Sequence, residues 1–241
     1  MDSRYSRDVL VLQTHCDRNL RLSIPAAAGL CLDTANIQSE LYGFGVGALD
    51  LRGRYWVVSK HRFRFVGSAH NMDEVRVTTW PEKPGKLRCF RNYTIEKEGE
   101  PVAFGKSEWA VLDKESGRPT PPIDIYPKGM DLTDDTTFTD SFARISDDFE
   151  SEVFAGYRIT SNDIDMATHM NNVRYFWAVM GLFSSEKIEA MKIREIELHY
   201  KSQAREGETL LFQKRENEDS LELRASAGDG RTVLLARILK G

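Results

Sequence analysis

The sequence predicts an α+β protein in which one helix-and-sheet unit occurs twice. Each half has a segment with helical periodicity, followed by segments that alternate as antiparallel strands do. Neither half needs the parallel crossover connections that define α/β proteins. We therefore expect each half to form a long helix wrapped by a strongly curved antiparallel sheet.

The first predicted helix begins near Ser23 and Pro25, which favour a helix start, and ends at the glycines of YGFGVG. Its apolar positions recur every three or four residues, as one face of a helix requires. That stripe consists of Ala27, Leu30, Thr34, Ile37, Leu41 and Phe44.

The second predicted helix repeats the pattern, with Asn171 or Asn172 as its cap. Its apolar positions are Val173, Phe176, Trp177, Met180 and Phe183. The strand segments after the two helices also correspond, because WVVSKHRFRFVGSAHNMDEVRVTTW matches IREIELHYKSQAREGETLLFQ in spacing. A hairpin then follows in each half, with turns at 98–100 and 228–230.

Three regions follow from this pattern. Residues 1–118 form the first repeat, 119–152 a linker, and 153–241 the second repeat. The linker is rich in proline at first and then acidic. The alternative, one long loop inside a single domain, is disfavoured because loops of this length are uncommon in compact domains.

The composition narrows the class of protein. The 241 residues carry a net charge of −4, which argues against nucleic acid as the main partner. No stretch has the roughly 18 apolar residues that a membrane span requires. The three cysteines form an odd, sparse set, and the start of the chain lacks a signal-peptide pattern. We expect a cytoplasmic protein.

The segment SNDIDMATHMNNVRY, residues 161–175, joins a strand-like stretch to the second helix. It resembles the acyl-acyl carrier protein (ACP) thioesterase signature, D-x-D-x-N-x-H-x-N-N-x-x-Y. The resemblance covers most of the chain, including the Trp56-Val57-Val58 strand and the Thr79-Trp80 pair. It implies two tandem hot-dog repeats and an enzyme that hydrolyses fatty acyl-ACP, which releases the free fatty acid and ends chain elongation.

Thioester hydrolysis needs a carboxylate to attack or to activate water, a donor for the oxyanion, and a dry slot for the chain. The resemblance implies that Asp165 is the base or nucleophile and that His169 orients the thioester or protonates the leaving thiol. Asn171 and Asn172, at the helix N-terminus, would stabilise the oxyanion. The alternative is that Asp163, Asp165 and Asn171 only satisfy turn and cap positions.

The chain departs from the family pattern at three positions. Ala167 stands where the family has its catalytic asparagine, and Ala204 where many plant members have cysteine. Gln203 stands at the acidic position and can hold a water but cannot take its proton. Strand alternation puts Gln203 and Tyr200 on opposite faces unless a bulge intervenes. Gln203 is therefore the weakest catalytic candidate.

The acyl chain lies beside the first repeat in the family. The residues expected in that slot are Gly29, Leu30, Asp33, Ile37 and Trp56, for each of which ordinary core packing is the alternative. Lys60, Arg62 and Arg64 alternate along a strand and would share one face. That face predicts docking of the acidic carrier protein, with a solvated outer strand face as the alternative.

No cofactor is expected, and the histidines lack metal-ligand spacing, so we expect no metal site. Two other functions stay open. One is hydrolysis of acyl-CoA, and the other is acyl binding with weak catalysis, which Ala167 and Gln203 suggest. A homodimer is also possible.

Overall fold

The computed structural model describes residues 1–149 and 151–241, and over these residues it has eleven strands and four α-helices. The chain divides into two units, Met1–Asp140 and Ser141–Gly241. The division falls inside the predicted linker, and residues 119–140 belong to the first unit. The limits of the linker stay a prediction.

The first unit is an antiparallel sheet with two helices. Its sheet order is β1-β3-β4-β5-β2, and the short strand β6 pairs with β5. In chain order the elements are β1 (Tyr5–Leu10), α1 (Ile24–Leu41), α2 (Val46–Asp50), β2 (Arg54–Phe65), β3 (Glu74–Pro81), β4 (Cys89–Lys97), β5 (Glu100–Asp113) and β6 (Pro119–Thr120).

The second unit has the same plan. Its sheet order is β7-β9-β10-β11-β8, so each strand takes the place of its counterpart in the first unit. Its elements are β7 (Ala155–Arg158), α3 (Asn172–Gly181), α4 (Ser185–Met191), β8 (Glu195–Tyr200), β9 (Thr209–Glu216), β10 (Ser220–Ser226) and β11 (Thr232–Leu239). The predicted α+β class and the predicted repeat are confirmed.

Helix α1 begins where the sequence predicts, because the Ser23 side chain accepts a hydrogen bond from the Ala26 N–H. Its buried face includes Leu30 and Thr34 but continues to Gln38, whereas Leu41 is 67% exposed. The predicted stripe is therefore wrong at its C-terminal end. Gln38 tolerates burial because its amide donates to the Ser3 carbonyl at 2.6 Å and accepts from the Arg91 guanidinium at 2.6 Å.

Helix α3 is capped by Asn171, whose side chain accepts from the Val173 N–H at 2.9 Å. Phe176 and Met180 are buried, as predicted, but Trp177 is 41% exposed, so the predicted stripe is wrong at that residue. The helix ends at Gly181, before Phe183.

The proline-rich segment after β5 packs on the first unit. Ile125, Tyr126 and Met130 join a buried cluster with Phe44 and Val111. These apolar side chains cover one end of the unit's core, so this part of the predicted linker contributes to the fold.

Candidate active site

The connection from β7 to α3, here called the second-unit loop (residues 159–171), carries the predicted signature. Asp163 is buried, with 4% of its surface exposed. It accepts from the Tyr157 hydroxyl at 2.7 Å and from the N–H and hydroxyl of Thr160 at 2.8 and 2.9 Å. Burial opposes its ionisation, but these donors outweigh burial and lower the pKa of Asp163. Asp163 therefore stabilises the turn.

Asp165 and His169 stand at the two arms of a tight turn. The Asp165 N–H donates to the His169 carbonyl at 3.0 Å, and the Thr168 N–H donates to the Asp165 carbonyl at 3.0 Å. Thr168 has a φ of 63°, the left-handed region that a β-branched residue rarely adopts. This backbone brings two half-buried candidate side chains to one short segment.

The side chains of Asp165 and His169 have few partners. The Asp165 Oδ1 atom accepts from the Ala167 N–H at 2.9 Å. Within residues 1–149 and 151–241, Oδ2 of Asp165 accepts no hydrogen bond and the His169 ring forms none. Both groups can therefore interact with a substrate or with water.

The first turn of α3 offers one backbone donor. The Asn171 N–H donates to the Asp163 carbonyl at 2.8 Å, and the Val173 N–H donates to the Asn171 side chain. The Asn172 N–H donates to no described residue. Of the amides expected to stabilise an oxyanion, that of Asn172 is the one that remains available, at the positive end of the helix dipole.

Gln203 lies in the β8–β9 segment (residues 201–208), which follows the last residue of β8, Tyr200. Strand alternation does not apply there, so no bulge is needed to explain its direction. The Met170 N–H donates to the Ala204 carbonyl at 2.8 Å, which fixes this segment beside the second-unit loop. Gln203 itself is exposed.

Two tyrosines that the sequence analysis named but gave no role, Tyr175 and Tyr200, support this region. The Tyr200 hydroxyl donates to the Asn172 carbonyl at 3.1 Å, and its ring lies 5.3 Å from the ring of Tyr175. Burial above all raises the pKa of Tyr175; the charge of Arg231 opposes this rise, and the carboxylates of Glu208 and Asp165 add to it.

The first unit contains a loop with the same backbone, here called the first-unit loop (residues 11–23). The Asp17 N–H donates to the Arg21 carbonyl at 2.8 Å, and the Leu20 N–H donates to the Asp17 carbonyl at 3.0 Å. Leu20 has a φ of 58°, and the Leu22 N–H donates to the Ala69 carbonyl at 2.7 Å. Asp17 therefore corresponds to Asp165, 148 positions later in the chain.

The two loops differ in the environment of the carboxylate. Asp17 accepts from the N–H of Asn19 at 2.8 Å, from the N–H of Arg21 at 3.0 Å, and from the Arg21 guanidinium at 3.2 Å. His169 occupies the position of Arg21, and Ala167 occupies the position of Asn19. Arg21 therefore neutralises the first carboxylate, whereas no cation of the second-unit loop neutralises Asp165.

The residues expected in the acyl slot fall into two groups. Leu30 is buried, and Trp56 packs against the Phe44 cluster while its indole N–H donates to the Phe44 carbonyl at 3.0 Å. Gly29 and Ile37 are half-buried, but Asp33 is exposed. The structure does not place Asp33 on a buried wall.

The predicted basic docking face is not an exposed patch. Arg62 is only 5% exposed, donates to Asp140 at 2.7 Å and lies 4.4 Å from the Phe138 ring centroid. This ion pair lowers the pKa of Asp140. Lys60 pairs with Glu108 at 3.5 Å, and Arg64 lies 4.9 Å from the Phe138 ring. The expectation of an open basic face is wrong for Arg62, because residues 138–140 cover it.

In the described part of the chain, no cluster of three or more histidine, cysteine, aspartate or glutamate residues could hold a metal ion. None of its helices is long and apolar enough to cross a membrane. The three cysteines are free, and all of them lie in the first unit. The second unit therefore has no cysteine of its own that could act as a nucleophile.

The fold and the loop define the class of protein: each unit is a hot-dog repeat, and two in one chain make a double hot-dog protein. Models of the acyl-ACP thioesterase N-terminal and C-terminal domains match residues 2–125 and 146–237. The chain therefore belongs to the acyl-ACP thioesterase family.

Curated relatives come from plants. A chloroplastic acyl-[acyl-carrier-protein] hydrolase of Cuphea viscosissima is 26% identical over 170 residues, which are 66% of this chain and 40% of the relative. A chloroplastic palmitoyl-acyl carrier protein thioesterase of Cuphea hookeriana is 25% identical over 186 residues, which are 72% of this chain and 42% of the relative. The matched part of the chain thus spans about two fifths of these relatives.

Solved structures share the fold over the whole chain. An acyl-ACP thioesterase from Bacteroides thetaiotaomicron superposes with a TM-score of 0.89, 22% identity, and coverage of 99% of this chain and 98% of that one. A 12:0-ACP thioesterase from Umbellularia californica superposes with a TM-score of 0.81 and 18% identity. The superposition covers 98% of this chain and 96% of that one. At these identities the likeness establishes the double hot-dog fold.

Proposed function

We propose that this protein hydrolyses the thioester of fatty acyl-ACP and releases the free fatty acid. One observation carries the proposal: two loops have the same backbone, but only Asp165 lacks the cation that neutralises its counterpart, Asp17. A backbone shared by both loops, with one carboxylate left available near a helix N-terminus, is suited to catalysis. Family membership supplies the class of substrate.

Each group has a role in this proposal. Asp165 attacks the carbonyl or activates a water, and His169 orients the reacting group and protonates the leaving thiol. The Asn172 N–H stabilises the oxyanion, with Asn171 holding the helix start in place. Gln203 orients a water through its side-chain amide. The acyl chain occupies the first unit near Leu30 and Trp56.

Acyl-CoA hydrolysis and acyl binding with weak catalysis remain the alternatives. The acidic carrier and the soluble CoA carry the same thioester, so relative rates on matched acyl-ACP and acyl-CoA distinguish them. The assay should span several acyl lengths with both carriers. A higher kcat/KM on every acyl-CoA would favour the first alternative, and tight acyl binding without turnover would favour the second.

The decisive variant is Asp165→Asn, with Asp17→Asn as its matched control. Loss of a base or nucleophile usually costs roughly 100-fold or more in rate, so we expect that loss for Asp165→Asn. Asp17→Asn makes the same chemical change at the corresponding position of the first-unit loop, and it should leave kcat near the wild-type value. Hydrolysis of a long-chain acyl-ACP measures both. Near-wild-type turnover by Asp165→Asn would refute the assigned chemistry.

A cytoplasmic location, absence of cofactors and metals, and formation of a homodimer also belong to this proposal. Carrier docking through Lys60 and Arg64 is part of it too, without Arg62. Sedimentation of the purified chain tests the dimer. The salt dependence of kcat/KM on acyl-ACP tests docking, because electrostatic steering weakens as ionic strength rises.

A further inference from the structure

We propose that Arg231 is a positioning residue, which clamps the β8–β9 segment against the second-unit loop and so sets the geometry of catalysis. The proposal rests on the proposed function for its catalytic consequence. Its structural part, the clamp itself, can be measured without activity.

Arg231 joins three parts of the second unit. Its guanidinium donates to the Ser202 hydroxyl at 3.0 Å and to the Gln203 carbonyl, at the start of the β8–β9 segment. It also pairs with Glu208 at the end of that segment and with Asp229 in the β10–β11 turn at 3.1 Å. One side chain therefore holds both ends of the segment that carries Gln203.

Glu208 binds Arg231 through Oε1 and leaves Oε2 for a second contact. That oxygen accepts from the Arg205 N–H at 2.7 Å, so the carboxylate bridges the segment and Arg231. Burial opposes ionisation of Glu208, but the Arg205 N–H and Arg231 outweigh it and lower the pKa. The carboxylate stays charged, as the clamp requires.

Backbone hydrogen bonds link the clamped segment to both ends of the second-unit loop, and at the end near His169 the link passes through Ala204. Ala204 follows Gln203 directly, and its carbonyl accepts from the Met170 N–H at 2.8 Å. Met170 in turn follows His169. A shift of residues 202–204 therefore moves the backbone on which His169 is carried.

The first unit has an acid at the position of Glu208 but takes its cation from another strand, the end of β4. There the corresponding acid is Asp73, which accepts from the His70 N–H at 2.7 Å, as Glu208 accepts from Arg205. Its cation is Lys97, which donates to Asp73 at 2.7 Å. Lys97 forms that one ion pair, whereas Arg231 also reaches the carbonyl of Gln203.

The two side chains also differ in what they can hold. A guanidinium is planar and presents five donors in a fixed fork, whereas an ammonium is a point charge on a flexible stem. A lysine at 231 can keep the ion pair with Glu208 but cannot hold Ser202 and Gln203 at the same time. Both units have an acid–cation pair that stabilises the turn. In the second unit the arginine also donates to Ser202 and Gln203, and these added hydrogen bonds form the clamp.

The first experiment compares Arg231→Lys with Lys97→Met, which removes the cation that pairs with Asp73 in the first unit. We expect kcat on acyl-ACP to fall on the order of tenfold for Arg231→Lys, with a smaller change in KM, because misplacing a reacting group by 1 Å can cost still more. Lys97→Met should leave kcat within about twofold while losing stability. A wild-type kcat in Arg231→Lys, or an equal fall in both variants, would overturn the proposal.

The second experiment measures amide hydrogen exchange and needs no substrate. Arg231→Lys should speed exchange of the Met170 amide and leave that of Leu22, its counterpart in the first unit, unchanged. Lys97→Met should not affect Met170. Unchanged exchange at Met170 in Arg231→Lys would refute the clamp. A wild-type protein without hydrolysis, but with this exchange pattern, would refute the proposed function and leave the clamp supported.

Discussion

At the scale of single residues, the two loops share a backbone but differ in the side chains around the aspartate. Asn19 demonstrates that this backbone accepts an asparagine at the position of Ala167. Arg21 neutralises Asp17, and His169 in its place leaves Asp165 without a permanent cation. The family asparagine is thus missing from the loop with the available carboxylate.

We expect Ala167→Asn and Gln203→Glu to be tolerated, and at least one of them to turn over acyl-ACP faster than wild type. An amide at 167 would fix the thioester better than Thr168 or a bound water, and a carboxylate at 203 could accept a proton from water. Hydrolysis of a long-chain acyl-ACP by both single variants and the double variant measures the effect.

The contrary outcomes are distinct. A fall in both single variants would mean that the site uses another arrangement of groups. Inactivity of wild type and all three variants would favour acyl binding. Urea unfolding of each variant serves as the control for folding.

At the scale of elements, each long helix begins where a side chain caps it. Ser23 caps α1 and Asn171 caps α3, and both caps follow the turn that carries the aspartate. The cap of α3 has a second consequence, because it occupies the Val173 N–H and leaves that of Asn172 for a ligand.

Asn171→Ala should lower the free energy of unfolding by about 1 kcal/mol, because the Val173 N–H loses its acceptor. Asn171→Asp should retain most of that stability, since a carboxylate caps a helix N-terminus well. Urea unfolding monitored by circular dichroism compares the two. Equal stability of wild type and Asn171→Ala would show that the cap contributes nothing.

At the scale of the whole molecule, both units depend on ionised carboxylates. Hydrogen bonds from Lys97 and the His70 N–H lower the pKa of Asp73, and the Arg62 ion pair lowers that of Asp140. In the second unit, donors outweigh burial at Asp163 and Glu208. A group whose pKa is lowered by folding stabilises the fold above its unfolded value and loses that contribution as pH falls.

The urea midpoint should therefore fall as the pH drops below the unfolded values of 3.8 for aspartate and 4.5 for glutamate. Unfolding measured between about pH 6 and pH 3 at constant ionic strength tests this sign. The Asp163→Asn variant should have a lower urea midpoint than wild type near pH 6, and its midpoint should fall less than that of wild type as the pH drops. A urea midpoint of the wild-type protein that stays constant or rises at low pH would contradict the predicted role of these carboxylates.

The sequence by itself determined what depends on local patterns. Apolar periodicity, cap residues and turn residues fix the two helices and the strand segments, because these features follow from a residue and its near neighbours. The signature also located Asp165 and His169 on one loop, since they are close in the chain. The same patterns revealed that the unit occurs twice.

Only the tertiary structure decided which charges are neutralised and which polar groups are buried. Gln38 is buried because Ser3 and Arg91 satisfy its amide, so the stripe of α1 turns away from Leu41. Arg62 is covered by Phe138 and Asp140, far away in the chain. Arg231 meets Gln203 and Glu208 only because β8, β9 and β11 bring their ends together. Partners distant in sequence leave no local pattern, and it is they that set exposure and charge at the site.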